Sequence, residues 1–407
     1  MKFLIGLLLS LFTILPFVGA QGINFGDSTR VSLLTCEPGE ALYSRFGHSA
    51  IRIQNELGLD LVFNWGIFDF RTENFYLKFL MGHTDYLLGV SPTEYFLAEY
   101  RERNSRVWEQ ELNLNQKEKV QLLAMLNENY EPQNRMYRYN FVFDNCATRP
   151  REILQQSVED RLEANPEFTN ETFRQLVNDH IQNAPWAMFG INLLFGSEAD
   201  KNLKGNESHF LPIFLRNSMQ HARIVSLSGD VPERKLVKSL DVLVEGEDLI
   251  AKPIFWLFHP MTLTLLWFLL GLLLTFSKDQ KSWVYKLFDS VLFFVTGCIG
   301  IVIFVLAFFS EHPLVGTNFN LLWLNPLNIL VPLLIWTHKA RHMLMIYYAL
   351  NIIMILLFIV LSTLYVQVST FYVIPLIALL LVRFFRRFRR SIHVLAIQTP
   401  KGLKWLS

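Results

Sequence analysis

The sequence predicts an α+β head outside the cytoplasm, joined to an all-α domain that spans a membrane, and three observations carry that expectation. Long uncharged apolar runs begin only after Pro253, although charged residues make up 18% of the 407-residue chain. In the first part, short β-prone runs come before helical periodicities, the order of an α+β layer rather than of a doubly wound sheet. Lys and Arg recur on alternate loops between the apolar runs, which is the asymmetry that orients a protein of several spans. The balance as a whole, 51% apolar with a formal net charge of +1, excludes a disordered chain and a nucleic-acid-coating one.

Taken in order, residues 1–20 have the layout of a secretory signal. Lys2 precedes an apolar stretch from Phe3 to Val18, and Val18-Gly19-Ala20 suits a cleavage site that would leave Gln21 first. The alternative is an uncleaved anchor, for which the run is short. No cysteine stands at the cleavage point, so the protein is not itself expected to be a lipoprotein.

The head is expected over residues 21–252. Runs near Val31 to Thr35, Ser49 to Ile53 and Leu61 to Trp65 are β-prone and are separated by turn formers such as Pro38-Gly39 and Asn55 to Gly58. They predict a small antiparallel sheet. Val120, Leu122, Leu123 and Leu126 recur at helical spacing between Gln116 and Tyr130, and a second helix is expected from near Ala147 through Ile153 and Leu154. Ala184 to Phe195 is apolar and uncharged but too short to span, so it reads as a core helix or as a surface dipping into lipid. In the second case Trp186, Met188, Phe189 and Leu194 would line an interfacial groove for an acyl chain.

The membrane domain is expected over residues 253–390, with spans at about 254–276, 288–309, 319–336, 343–363 and 367–385 and a tail at 391–407. A run of ~20 apolar residues suffices for each crossing. Lys278, Lys281 and Lys286 fall in one loop, Lys339 and Arg341 in another, and Arg383, Arg386, Arg387, Arg389 and Arg390 follow the last span. Ser310 to Phe319 and Gln367 to Thr370 contain none. All basic clusters therefore share the cytoplasmic side with the C-terminus, and the head lies opposite. Four spans would put the arginine cluster on the wrong side. Transporters usually hold ionisable groups inside their spans, and these spans carry almost none.

Chemistry points to the stretch from Tyr139 to Glu152. An apolar run ends in Asp144-Asn145, Cys146 follows, and Pro150 with Glu152 suits the first turn of a helix. A thiol at a helix N-terminus meets free backbone N–H groups and a partial positive charge, which favour the thiolate. The same amides could hold the oxyanion of a tetrahedral intermediate. His48, where Gly47 leads into a β-run, is the candidate base. Asn64 on the next β-run is the candidate to orient it, with Asp69 as the alternative. A packed strand histidine and a Cys36–Cys146 disulfide are the competing readings, while Cys298 lies in an apolar span and reads as packing. His48, His83, His180, His209 and His221 show no HExxH-like spacing, so neither a metal nor another cofactor is expected. Tyr43 and Arg45, and Asn145 beside the cysteine, are candidates for substrate contact. A guanidinium at Arg45 could take a donor phosphate in two hydrogen bonds, or simply be solvated. His312 could reach the head or a lipid headgroup, or only cap a helix.

The segments Leu34-Thr35-Cys36-Glu37-Pro38-Gly39, Tyr43-Ser44-Arg45-Phe46-Gly47-His48, Val62-Phe63-Asn64-Trp65-Gly66-Ile67-Phe68-Asp69-Phe70 and Phe143-Asp144-Asn145-Cys146-Ala147-Thr148-Arg149 closely resemble the periplasmic domain of the Lnb-type lipoprotein N-acyltransferases. Glu311-His312-Pro313 and Asn318 to Pro326 resemble that family's transmembrane module, so the resemblance covers nearly the whole mature chain. Histidine before cysteine is also similar to circularly permuted papain-like folds of the lecithin:retinol acyltransferase group. The resemblance implies His48 as base, Cys146 as nucleophile and Asn64 as orienting residue. It implies that an acyl chain moves from a membrane phospholipid to the α-amino group of a diacylglyceryl-cysteine lipoprotein, at the bacterial inner membrane. A membrane-anchored cysteine peptidase or amidase of the cell envelope, and a non-catalytic scaffold, are the other classes the residues allow.

The charge asymmetry yields a direct expectation: a reporter fused after Ser407 is cytoplasmic and one inserted near Gly229 is periplasmic. A periplasmic C-terminus, read by reporter enzyme activity, would overturn the five-span reading.

Overall fold

Strand formation in the head begins with a segment so apolar that only a central position suits it. β1 (Arg30–Cys36) is buried from Val31 onward. It lies between β2 (His48–Gln54) and β5 (Val107–Leu112) in a sheet of order β10-β5-β1-β2-β3-β4-β6, antiparallel at every pair. The chain reaches these positions through β3 (Asp60–Ile67), α1 (Phe75–Met81), β4 (Asp85–Pro92), α2 (Thr93–Glu102), α3 (Gln116–Tyr130) and β6 (Met136–Arg138), with β10 at Val237–Val244. The structure is a computed structural model that describes residues 28–398, apart from 69–70, 72, 165–170, 228–231, 248–253, 278–282 and 338–339, and side chains to residue 393. The expected signal segment, Asp69, Lys278, Lys281 and Lys339 lie outside the described residues.

Alternation within β1 sends Val31 and Leu33 to one face of the sheet and Leu34 and Cys36 to the other. On the first face they meet Leu122, Leu123 and Leu126 of α3 and Leu154 of α4 (Thr148–Ser157). On the second they meet Phe96, Leu97 and Tyr100 of α2. A capping box starts α3, Asn115 Oδ1 accepting from Glu118 N at 2.9 Å and Glu118 Oε2 from Asn115 N at 2.8 Å. A smaller sheet, β7 (Arg161–Glu163), β8 (Arg223–Val225) and β9 (Arg234–Lys235), flanks the head. Between its first two strands come α5 (Phe173–Ile181), α6 (Pro185–Leu194) and α7 (Pro212–His221).

The C-terminal half is helical: α8 (Pro260–Phe276), α9 (Trp283–Phe309), α10 (Val331–Ile335), α11 (Arg341–Thr363) and α12 (Ile374–Gln398). Of these, α9 and α11 are long and apolar enough to cross a membrane. The stretch expected as a third span is instead broken into 3₁₀ turns at Phe319–Leu322 and Pro326–Leu330 before α10. Asn318 and Asn325 cap those turns, accepting from Asn320 N and Leu327 N at 3.0 Å each, and Pro326 and Pro332 restart the chain each time. The turns press onto glycines of α9, for a Cβ at Gly297 would lie 2.3 Å from Ile329 N and one at Gly300 2.1 Å from Leu324 O.

One further boundary differs from expectation at the other end of the bundle. The last helix starts at Ile374 rather than 367 and continues to Gln398, carrying the arginine cluster within it, as suits a residue of high helix propensity. The second apolar helix, α9, contains the expected span 288–309 and with it Asp289, fully buried. Arg383 Nε donates to its Oδ1 at 2.7 Å and Arg387 Nε to its Oδ2 at 2.5 Å, while Arg383 also donates to Thr275 Oγ1 at 2.8 Å.

Head and helices meet at α6, which is neither plain core nor open groove. Met188 and Ile191 pack on the head cluster around Phe173 and Phe210, whereas Leu193, Phe189 and Leu194 pack on the helical cluster around Trp323 and Phe358. At its C-terminal end Arg174 donates to Asn192 O (3.2 Å), Phe195 O (3.2 Å) and Gly196 O (3.0 Å) while holding Asp200 at 2.7 and 2.9 Å. From the other half, Asn318 Nδ2 donates to Leu193 O and Leu194 O at 2.9 Å each, and Gln367 Nε2 to Phe195 O at 3.3 Å. Replacing Arg174 by Met would leave Asp200, whose side chain is 4% exposed, without its cation. The expected loss is roughly 3–5 kcal/mol, seen as a clear fall in the thermal midpoint of the detergent-solubilised protein.

Candidate active site

Two elements that each begin abruptly bring the candidate residues together. β2 starts at His48 because Gly47 takes φ +76, a left-handed turn in which a side chain would also strike Cys36 O, 2.7 Å from a Cβ. β3 runs beside β2 and carries Asn64. His48 Nε2 and Asn64 Oδ1 are 2.6 Å apart. Because an amide oxygen only accepts, Nε2 holds the proton, and the other ring nitrogen is left for the Cys146 thiol, to which the ring is also hydrogen-bonded.

Cys146 sits just ahead of α4, in a turn fixed by its neighbour. Asn145 Oδ1 accepts from Ala147 N at 2.8 Å and Thr148 N at 2.9 Å, and its Nδ2 donates to Phe141 O at 2.7 Å and Phe210 O at 2.8 Å. With its side chain buried and committed on both sides, Asn145 is a positioning residue; the expectation of substrate contact is replaced by this framework role. Asp144 holds the turn further through Arg149, at 2.5 and 2.8 Å, and the Arg149 guanidinium lies 3.8 Å over the Tyr137 ring.

The charges follow from this geometry. Burial alone would raise the Cys146 thiol, but the adjacent His48, the hydrogen bond with it, and the backbone N–H groups of Ser49 and of Cys146 itself bring it below its ordinary value of 9.0. Burial likewise pushes His48 down, and the Cys146 charge, its hydrogen bond and that of Asn64 overcome this, so the imidazole rises above 6.5. Each group thus favours the charged form of the other, which draws the pair toward thiolate and imidazolium. The Ser49 and Cys146 amides that face the sulfur are also placed to meet charge developing on a carbonyl oxygen next to it.

Cys36 faces His48 across the β1–β2 ladder. Burial drives its thiol far above the usual range, with a hydrogen bond to Tyr100 opposing. Both Cys36 and Cys146 are free, so the disulfide alternative is not formed. Cys298 is likewise free, within α9. Tyr43, exposed, meets Phe68 edge-on at 6.3 Å, and Arg45 is partly buried on the turn before His48. Trp186 and Phe189 are not gathered around Cys146: Trp186 Nε1 donates to Phe258 O at 2.9 Å and Phe189 meets Tyr372, both at the joint. His312 reaches the head, its Nε2 2.6 Å from Phe79 O.

Sequence reasoning missed Gly66. It holds φ +100, and a Cβ there would lie 3.7 Å from both Cys146 Cβ and His48 Cε1, so a glycine keeps the space over the pair open. The signal was present as a glycine interrupting a β-run directly after Asn64-Trp65. Ser49, whose backbone rather than side chain contributes, left no signal.

The chain matches the family model for the Lnb N-terminal periplasmic domain over residues 21–179 and that for the Lnb transmembrane domain over residues 252–393. No curated protein and no solved structure matches it.

The ion pair sets a pH dependence with a definite sign. Alkylation of Cys146 by iodoacetamide, followed by peptide mass spectrometry, is expected to switch on as pH rises through a thiol pKa below 9.0. His48→Ala leaves burial opposed only by backbone amides, so the onset moves to higher pH. Asn64→Ala, which acts only through the imidazolium, moves it the same way by less. An onset that does not respond to His48→Ala would dissolve the pair.

Proposed function

Because this chain belongs to the Lnb family, we propose that it is a lipoprotein N-acyltransferase working through a cysteine thioester. The observation that carries the reading is the linked Cys146, His48 and Asn64, poised as thiolate and imidazolium. In the first half-reaction the thiolate attacks an ester carbonyl of a membrane phospholipid. The Ser49 and Cys146 amides meet the oxyanion, and the tetrahedral adduct collapses as His48 protonates the departing lysophospholipid oxygen. In the second, the α-amino group of a diacylglyceryl-cysteine attacks the thioester, His48 takes one proton, and the thiolate leaves. That amine has an ordinary pKa of about 8, so near neutral pH a single base is enough.

The layout suits two lipid substrates. A catalytic head tied to a membrane domain replaces a three-dimensional search by a local one. We read the head, residues 21–252, as circularly permuted papain-like, on the strength of a strand histidine that precedes a helix-start cysteine. We read residues 253–390 as five crossings of the inner membrane with a cytoplasmic C-terminus, the short third stretch and α8 completing the set with α9, α11 and α12. Arg45, on the turn beside the site, is the candidate for the donor phosphate.

Cys146→Ala is expected to abolish acyl transfer while the protein stays in the membrane, and Cys36→Ala to be much milder. Mass spectrometry of a lipoprotein N-terminus, with and without the protein, reads the first; intact mass of the purified protein incubated with phospholipid vesicles reads the thioester. Full activity in Cys146→Ala would remove the nucleophile. A thioester that water resolves while the lipoprotein amine does not would favour the peptidase or amidase reading.

A further inference from the structure

An acyl chain drawn from a bilayer to Cys146 needs an apolar route, since each methylene exposed to water costs about 0.8 kcal/mol. The helix first suspected of supplying it, α6, has Met188, Phe189, Ile191, Leu193 and Leu194 packed into the clusters of both halves. Another surface is left uncovered. On α1, Tyr76 is 79% exposed, Leu77 60% and Phe79 49%.

That helix is seated on the end of a membrane-crossing one. Glu311 N donates to Met81 O at 2.9 Å, His312 Nε2 bonds Phe79 O at 2.6 Å, and a Cβ on Gly82, the left-handed cap of α1, would lie 2.9 Å from His312 N. Glu311 is also held by Arg138 at 2.8 Å. These residues directly follow α9, whose last residues Phe308 and Phe309 are themselves exposed. The exposed face of α1 therefore continues the apolar surface of α9, as an interfacial helix would.

A row of rings leads inward from it. Phe79 stacks on Phe75 at 6.1 Å, Phe75 on Phe68 at 6.0 Å, and Phe68 on Tyr86 at 4.9 Å. Phe68 lies two residues beyond Gly66, the position that opens over Cys146 and His48. We propose that α1 rests in the outer leaflet and that Phe79, Phe75 and Phe68 form the track along which one acyl chain of a membrane phospholipid reaches Cys146. This deepens the transferase reading and rests on it for the fate of the chain, but not for its binding.

The test uses the full chain with Cys146→Ala in vesicles of phosphatidylethanolamine and phosphatidylglycerol doped with a phospholipid bearing a diazirine in mid-chain. After irradiation, peptide mass spectrometry is expected to find adducts on residues 75–79. Adducts confined to the helical half and α6 would overturn the track. In the otherwise native chain, Leu77→Glu and Tyr76→Glu are expected to slow acyl-enzyme formation from the same vesicles at least tenfold with the thermal midpoint held; an unchanged rate would also overturn it. Absence of any acyl-enzyme in the native chain would count against the transferase reading alone, since the cross-link does not require turnover.

Discussion

Arg174 lies where the molecule must solve a problem posed by its own architecture. A helix leaves its last carbonyls without internal partners, and α6 ends buried between two apolar clusters where water cannot supply them. Arg174 meets three of the carbonyls there from the head, and Asn318 and Asn320 meet others from the helical half. Asp200 neutralises the guanidinium and also accepts from Val368 N at 3.2 Å. Every group in this node has a fixed geometry and costs much to leave unmade. The two halves are therefore held in one relation rather than loosely tethered. In the proposed transfer, where reacting atoms must come to about 3–3.5 Å, this joint would fix how Cys146 is held relative to the helical half.

The same requirement, that a buried polar group find all its partners, shapes the reacting residues. A thiolate and an imidazolium in a partly buried site would be tolerable only together. The pair is supported by groups that have no other option: Asn64 through one oxygen, and Asn145 through both ends of its amide. Neither amide is held by chance packing. Asn145 also meets the N–H groups of Ala147 and Thr148 at the start of α4, so there the helix start and the site are stabilised by the same bonds.

That coupling explains which parts were legible in the sequence. β1, β2 and β3 were readable because short β-prone runs between turn formers are a local pattern, and α3 because its leucines recur at helical spacing. His48 and Cys146 were readable because each begins an element. The broken third apolar stretch was not, although Pro326 and Pro332 stood in plain view, since hydropathy sums over turns and helices alike; only the glycines of α9 opposite show why turns fit there. The role of α6 was divided between core and surface because its partners lie far along the chain, at Phe258, Asn318 and Tyr372. Asn145 looked like a binding residue because its carbonyl partner at Phe210 is supplied from a distant turn.

The basic residues near the C-terminus have a second use that follows from the same accounting. Arg383 and Arg387 turn inward to Asp289, which is fully buried, so part of the arginine cluster is consumed in joining α12 to α9. A carboxylate at that depth would be costly alone, and two guanidinium groups with a threonine hydroxyl on α8 remove the cost. The bundle is thereby clamped by ion pairs at one end and by the Arg174 node at the other. Between these fixed ends the lipid-facing side chains are free to be merely apolar. The polar precision of the protein is concentrated where helices end, and one of those ends is where the head is seated on the helical half.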